Sequence, residues 1–344
     1  MMNYIACHGV GGSEMMSLAQ GEVPTPRATQ VLIKVAVAGV NGPDIAQRKG
    51  HYPAPSDASP ILGLEVAGYI VAMGADVRQW QLGDRVCALV PGGGYSEYVS
   101  VNARHCLPVP TGVSLVDAAV LPETFFTVWG NVFMRAGLKA GETLLILGAS
   151  GGIGSAAIRL AKAFDVKVLA LVSTEEKRQY CQELGADEVF CASSATLSQQ
   201  VLRLTQERGV DVVLDQLGGD WLPAAFDCMA YDGRLASIAC QTGRQVTVDI
   251  FQLMRRRLSW VASTLRPQSE AAKADIAQQL LAHVWPKFAD RQLTLPIDQI
   301  FDLKDAPLAH QLFESRQFCG KLALRVTHDQ EDECGHAVLI ENLN

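Results

Sequence analysis

Residues 144–157, LLILGASGGIGSAA, run from an apolar strand into glycines and on into a helix of small residues. Ala149, Gly151 and Gly154 reproduce the dinucleotide fingerprint GxGxxG, with Ala at its first position. Gly151 lets the main chain approach a pyrophosphate, and Gly154 lets the helix lie close on its strand. Helix N-terminal amides and the helix dipole then hold the negative charge. A glycine pattern alone also suits an ordinary turn. The strand before it, the helix after it and a second strand at 166–172 supply the setting a dinucleotide site requires.

The end of that second strand speaks to which dinucleotide. NAD recognition wants a carboxylate about 20 residues past the motif, on the ribose 2′-hydroxyl. Val172-Ser173-Thr174 offers hydroxyls instead, followed by Lys177 and Arg178. Donors and positive charge suit a 2′-phosphate, so NADPH is favoured over NADH. Glu175 and Glu176 oppose that reading, and the four charges are equally consistent with a solvated first helical turn.

These residues must be carried by alternating elements. VKVLALV (166–172), DVVLDQLG (211–218), RLASIAC (234–240) and LSWVAST (258–264) are short apolar strands, mostly separated by helical segments such as TEEKRQYCQELG. That alternation predicts right-handed βαβ crossovers and a doubly wound parallel sheet, an α/β fold. The first 125 residues instead read as β-rich, in VLIKVAVAGV (31–40), ILGLEVAGYIVAMG (61–74) and DRVCALV (84–90). The expected division is 1–125, then 126–264 for the cofactor domain, then 265–327 returning to the first, and an acidic flexible tail at 328–344.

Bulk properties narrow the function. The chain has 344 residues, 49% hydrophobic and 19% charged, which suits two packed domains. With a net charge of −7, the only dense basic run is Arg255-Arg256-Arg257, so nucleic acid and anionic membrane are disfavoured. No apolar run reaches the roughly 18 residues of a membrane span. The N-terminus lacks a signal-peptide pattern, and the nine cysteines form no CxxC pair, which fits reduced thiols in the cytoplasm.

The succession VLIKVAVAGVNGPDIAQRKGHYP, ILGLEVAGYIVAMG, GDRVCAL, GGGYSEY, LPETFFTVWGNVF and ILGASGGIG resembles the medium-chain dehydrogenase/reductase superfamily over residues 3–326. Within it the likeness is to the zinc-free quinone oxidoreductases of the zeta-crystallin group, nearest the p53-inducible type. The resemblance implies a GroES-like catalytic domain ahead of a Rossmann domain. Zinc-dependent members place a Cys in the loop matching 39–44 and a His within GHE. Here the loop is Gly39-Val40-Asn41-Gly42-Pro43-Asp44, and Leu64 stands where the His would be. No metal is expected, and Glu65 reads as a hydrogen-bonded structural carboxylate. In the tail, Glu331, Asp332, Glu333, Cys334 and His336 read as a solvated segment rather than a metal cluster.

The resemblance also implies site residues. Asn41 matches an Asn beside the nicotinamide, although a turn residue before Gly42-Pro43 would look the same. Tyr52 matches a Tyr at the quinone pocket, able to stack and donate, or else packs on Pro53. Thr127 matches a Thr at the nicotinamide end, or caps a helix. Ser150, Gly151, Gly152, Ile153, Ser173, Lys177, Leu217, Gly218, Cys240, Gln241, Leu265, Arg266 and Gly320 fall where coenzyme contacts are implied. Two features depart from the pattern. Ala192 stands where many relatives have a phosphate-binding Tyr, and Gly151 where the p53-inducible type has Ser.

Without a metal, nothing lowers the pKa of an alcohol, so alcohol oxidation is disfavoured. The expected activity is metal-free reduction of a small quinone by NADPH, in a homodimer paired through the 258–264 edge strand. An enone or enoyl-thioester reductase is the alternative enzyme. A non-catalytic NADPH-binding or AU-rich-RNA-binding protein is the alternative from another class.

Overall fold

The computed structural model describes residues 1–290 and 293–327, so the acidic tail and its cluster lie outside the described residues. Two compact units emerge: 1–123 with 269–289 and 296–327, and 124–268 with 290–295.

In the first unit, β1 (Met2–Cys7) and β2 (Met16–Gly21) form an antiparallel pair. The spine is β3 (Gln30–Val40), whose apolar residues on either side of Lys34 are all buried, as expected of a strand covered on both faces. Helix α1 (Gly42–Arg48) follows it directly. Strands β4 (Glu65–Met73), β5 (Arg85–Leu89), β6 (Tyr98–Asn102) and β7 (Cys106–Pro108) complete the first pass, and α2 (Leu115–Ala118) and α3 (Pro122–Val128) lead out of it.

The second unit alternates β8 (Thr143–Leu147), α4 (Gly152–Ala163), β9 (Lys167–Val172), α5 (Glu175–Glu183), β10 (Glu188–Cys191), α6 (Leu197–Leu204), β11 (Val210–Asp215), α7 (Trp221–Asp227), β12 (Met229–Ser237), α8 (Ile250–Arg256) and β13 (Ser259–Ala262). The strand order is β10-β9-β8-β11-β12-β13, every pair parallel. The order reverses between β8 and β11, the switch point at which such sheets bind ligands. Every residue of β8 and β11 is buried, which is why their sequences lack polar alternation.

The chain then returns to the first unit through α9 (Glu270–Gln279), β14 (Ile297–Asp302), α10 (Ala306–Ser315) and β15 (Lys321–Arg325). Along one edge β3 pairs with β4. The other edge is shared, with β6 along residues 30–34 and β15 along 37–40. A segment from the end of the chain is thereby fixed beside Val40 and Asn41.

Candidate active site

The glycine loop has the geometry its sequence implies. Ala149 and Ser150 leave β8, Gly151 is extended at φ −85° and ψ −179°, and α4 starts at Gly152. A Cβ on Gly154 would lie 2.2 Å from the Ala149 carbonyl oxygen, so no side chain fits there. A Cβ on Gly151 would meet no protein atom within 4 Å, so that face of the main chain is open to a ligand. Ser155 Oγ donates to the Gly151 carbonyl at 2.9 Å and steadies the turn. An open glycine at the head of a 12-residue helix fits a pyrophosphate.

The other coenzyme candidates of this unit sit at the same, C-terminal edge of the sheet. Leu217 and Gly218 follow β11, and Asp215 Oδ1 accepts from both their amides at 2.9 Å. Its Oδ2 accepts from Ser237 Oγ at 2.9 Å, and Ser237 Oγ in turn accepts from Trp260 Nε1 at 3.0 Å. One carboxylate therefore ties the ends of β11, β12 and β13 together. Burial pushes the Asp215 carboxyl up, opposed by these hydrogen bonds. Gln216 Nε2 donates to the Gly148 carbonyl at 3.1 Å, linking this loop to the fingerprint turn. The Gln241 amide donates to the Gln216 carbonyl at 3.2 Å, which draws Cys240 and Gln241 to the same edge.

Thr127 is buried, and its carbonyl accepts from Asn131 Nδ2 at 2.9 Å; Asn131 Oδ1 accepts from Ser263 Oγ at 2.6 Å. This joins the Thr127 segment to the loop carrying Leu265 and Arg266, both buried. Thr127 lies near the C-terminal end of α3, so the helix-cap alternative is corrected: a cap must precede the first turn. Thr174 is the residue that caps a helix here, accepting from the Lys177 amide at the start of α5. Ser173 is exposed and Lys177 half-buried beside it, and Arg178 pairs with Glu175 at 3.2 Å, so part of the solvated-turn reading also holds. Arg256 Nη1 donates to the carbonyls of Phe226, Asp227 and Met229, and Arg257 pairs with Asp232 at 2.7 Å, so two of the three clustered arginines bind this protein itself.

Asn41, Tyr52 and Gly320 belong to the first unit. Asn41 occupies the N-cap position of α1, with Gly42-Pro43 opening the helix, so the turn reading and the site reading describe the same residue. The Asp44 carboxylate accepts from the Asn41 amide and from the Gly63 amide, both at 2.9 Å. Asn41 Nδ2 donates to Glu65 Oε1 at 2.8 Å, and Glu65 Oε2 accepts from the Glu123 amide at 2.9 Å. Tyr52 is half-buried in the loop after α1. Gly320 adopts φ +74°, which side-chain-bearing residues resist, and delivers Lys321 to the start of β15.

Lys321 is the residue that sequence reading missed. Its Nζ donates to Asn41 Oδ1 at 2.6 Å, to Glu65 Oε1 at 2.7 Å and to the Val40 carbonyl at 3.3 Å. The available signal was a charge opening the apolar run of KLAL (321–324). This arrangement does not fit zinc. Leu64 is an apolar, buried side chain, Asn41 supplies a weak amide ligand, and both Glu65 oxygens are already engaged. Among the described residues, no three His, Cys, Asp or Glu side chains gather as a metal would require.

A second buried network flanks Asp44. The Tyr95 hydroxyl lies 3.4 Å from Asp44 Oδ2 and 3.1 Å from His310 Nε2. Burial, reinforced by Arg48, pushes the His310 imidazole down to about 3. Arg48 is itself buried and ion-paired with Glu314.

Comparison with known proteins agrees with both units. Residues 27–111 match the alcohol dehydrogenase GroES-like domain family, and residues 152–281 match the zinc-binding dehydrogenase family. The chain is 30% identical to a probable quinone oxidoreductase of Schizosaccharomyces pombe over 94% of this chain and 96% of that one. It is 29% identical to the phthioceranic/hydroxyphthioceranic acid synthase of Mycobacterium tuberculosis over 92% of this chain, which spans only 15% of the synthase. Among solved structures, an NAD-dependent alcohol dehydrogenase superposes with a TM-score of 0.84 at 27% identity, covering 95% of this chain and all of that one. A mycobacterial quinone oxidoreductase superposes with a TM-score of 0.82 at 26% identity, with coverage of 95% and 100%. No helix among the described residues is long and apolar enough to cross a membrane. The chain belongs to the medium-chain dehydrogenase/reductase superfamily, a family of oxidoreductases that use a nicotinamide coenzyme.

Proposed function

We propose that this protein is an NADPH-dependent quinone oxidoreductase that works without a metal. The observation that carries the reading is the engagement of Glu65 and of Asn41 Oδ1 by Lys321, which leaves no set of ligands for a Lewis acid. An acceptor must then take hydride unaided. A quinone does so because the product becomes aromatic. The reduced nicotinamide supplies the hydride when bound.

The protein's own residues bind and orient. The Gly151–Gly152 amides and the head of α4 hold the pyrophosphate. Ser173, exposed, and Lys177, half-buried in the first turn of α5, favour a 2′-phosphate. The nicotinamide end is assigned to Thr127, and Leu217, Gly218, Cys240, Gln241, Leu265, Arg266 and Gly320 are assigned as further coenzyme contacts. Asn41 keeps one Nδ2 hydrogen free of Glu65 to offer to a carbonyl oxygen. Tyr52 stacks on the acceptor, and the proton for the reduced oxygen comes from solvent or from the Tyr52 hydroxyl, which solvent then reprotonates.

The second reading, an enone or enoyl-thioester reductase, draws on the likeness to the mycobacterial synthases. Stopped-flow oxidation of NADPH by benzoquinones, enones and acryloyl thioesters separates the two. Turnover fastest with quinones is expected, and turnover confined to enones or thioesters overturns the assignment. The reading extends to a homodimer joined through β13. That strand pairs with β12 alone among the described residues, and α8 beside it exposes Ile250, Phe251 and Met254 at 67–70%. Light scattering at twice the chain mass is expected; a monomer removes the dimer from the proposal.

A further inference from the structure

We propose that Lys321 is the resident cation of the Asn41–Glu65 site and the positioning residue that aims the Asn41 carboxamide. Its side chain is 3% exposed and that of Glu65 is fully buried, so the pair is held away from water. Each of the three ammonium hydrogens has an oxygen partner, on Asn41, Glu65 and Val40. The site is thus a three-oxygen cage around a nitrogen that the chain itself supplies. Gly39 makes room for it, because a Cβ there would lie 2.1 Å from Glu65 Oε1.

The chemistry of the partners fixes the amide's direction. An ammonium only donates and a carboxylate only accepts, so Oδ1 must face Lys321 and Nδ2 must face Glu65. A flipped carboxamide would set donor against donor and acceptor against acceptor. One Nδ2 hydrogen remains, in a set direction, to meet an external group. The pairing of Leu322 with Val40 holds the lysine's strand at the level of Asn41. The catalytic half of this inference rests on the role given to Asn41 above; the cation half does not.

Two variants test it. In Lys321→Ala, propylammonium should refill the cage and raise the melting temperature saturably, while 1-propanol at equal concentration should not. Equal stabilisation by the alcohol shows that the lysine merely fills space and overturns the cation. Lys321→Met combined with Glu65→Gln replaces the ion pair by a neutral pair of similar volume, which restores stability. In that double variant kcat should stay down by about tenfold to a hundredfold, the loss expected when a supporting partner is removed. Its KM for NADPH should remain within about twofold of the unmodified protein, because no coenzyme contact has been taken away. Recovery of kcat together with the melting temperature makes Lys321 a brace only and overturns the positioning role. Should the unmodified protein reduce none of the acceptors, the functional reading falls while the melting experiment still decides the cation.

Discussion

On the proposed function, the two units hold a polar ligand in opposite ways. In the second unit the work falls to the main chain: an open Gly151, a helix start at Gly152 and amides ordered by Asp215. In the first unit it falls to buried side chains, Asn41, Glu65 and Lys321, with Asp44, Tyr95 and His310 alongside. The difference teaches where each site is fragile. Main-chain donors withstand most substitutions but not the loss of a glycine. Buried ionic side chains fail as soon as one partner is removed.

The sharpest break in that comparison comes from Lys321→Met alone, which strands a buried Glu65 carboxylate. It should cost about 3–5 kcal/mol of unfolding free energy by denaturant titration. A loss below about 1 kcal/mol would mean the pair is not buried as described. Acid should separate the units next. His310 holds its imidazole neutral down to about 3, whereas an unfolded histidine protonates near 6.5. The unfolded state thus binds the extra proton first, and stability that is full above about pH 6.5 falls as the pH drops toward 3. By pH 5 the loss should reach about 2 kcal/mol, and His310→Gln should abolish it. Asp215 acts with the opposite sign. Its raised carboxyl favours folding only once protonated, in more acid solution, so hydrogen exchange should loosen the first unit before the second.

Two glycines of one loop should then part company. Gly154→Ala forces a Cβ onto the Ala149 carbonyl and should cost about 1–3 kcal/mol of stability. Gly151→Ala meets no protein atom, so stability should hold while NADPH binding weakens by about tenfold in a fluorescence titration. Equal effects at the two positions would contradict the division of labour assigned to them. The smallest effect is Lys177→Ala. Half-buried and partly screened by solvent, it should weaken NADPH by about 1 kcal/mol and leave NADH unchanged.

The same contrast explains what the sequence could disclose. The fingerprint turn is local, so Ala149 to Gly154 announced both the open glycine turn and the β8–α4–β9 unit around it. The parallel sheet was legible because its buried strands are continuous apolar runs, although β12 begins at Met229, five residues before the RLASIAC segment that suggested it. The Glu65–Lys321 pair spans 256 positions of chain, and no periodicity or spacing reports a contact of that range. Asn41 was singled out, but its Lys321 partner was not. Thr127 was legible as a site candidate, yet only the helix bounds Pro122–Val128 remove its role as a cap.

The central claim is that the first unit carries its own cation and needs no other. The direct test is to strip the protein with a strong chelator, confirm the metal content by mass spectrometry, and measure NADPH-dependent reduction of a benzoquinone. The account predicts the same turnover before and after stripping, with no gain from added zinc. Turnover that disappears on stripping and returns with one equivalent of zinc would contradict it.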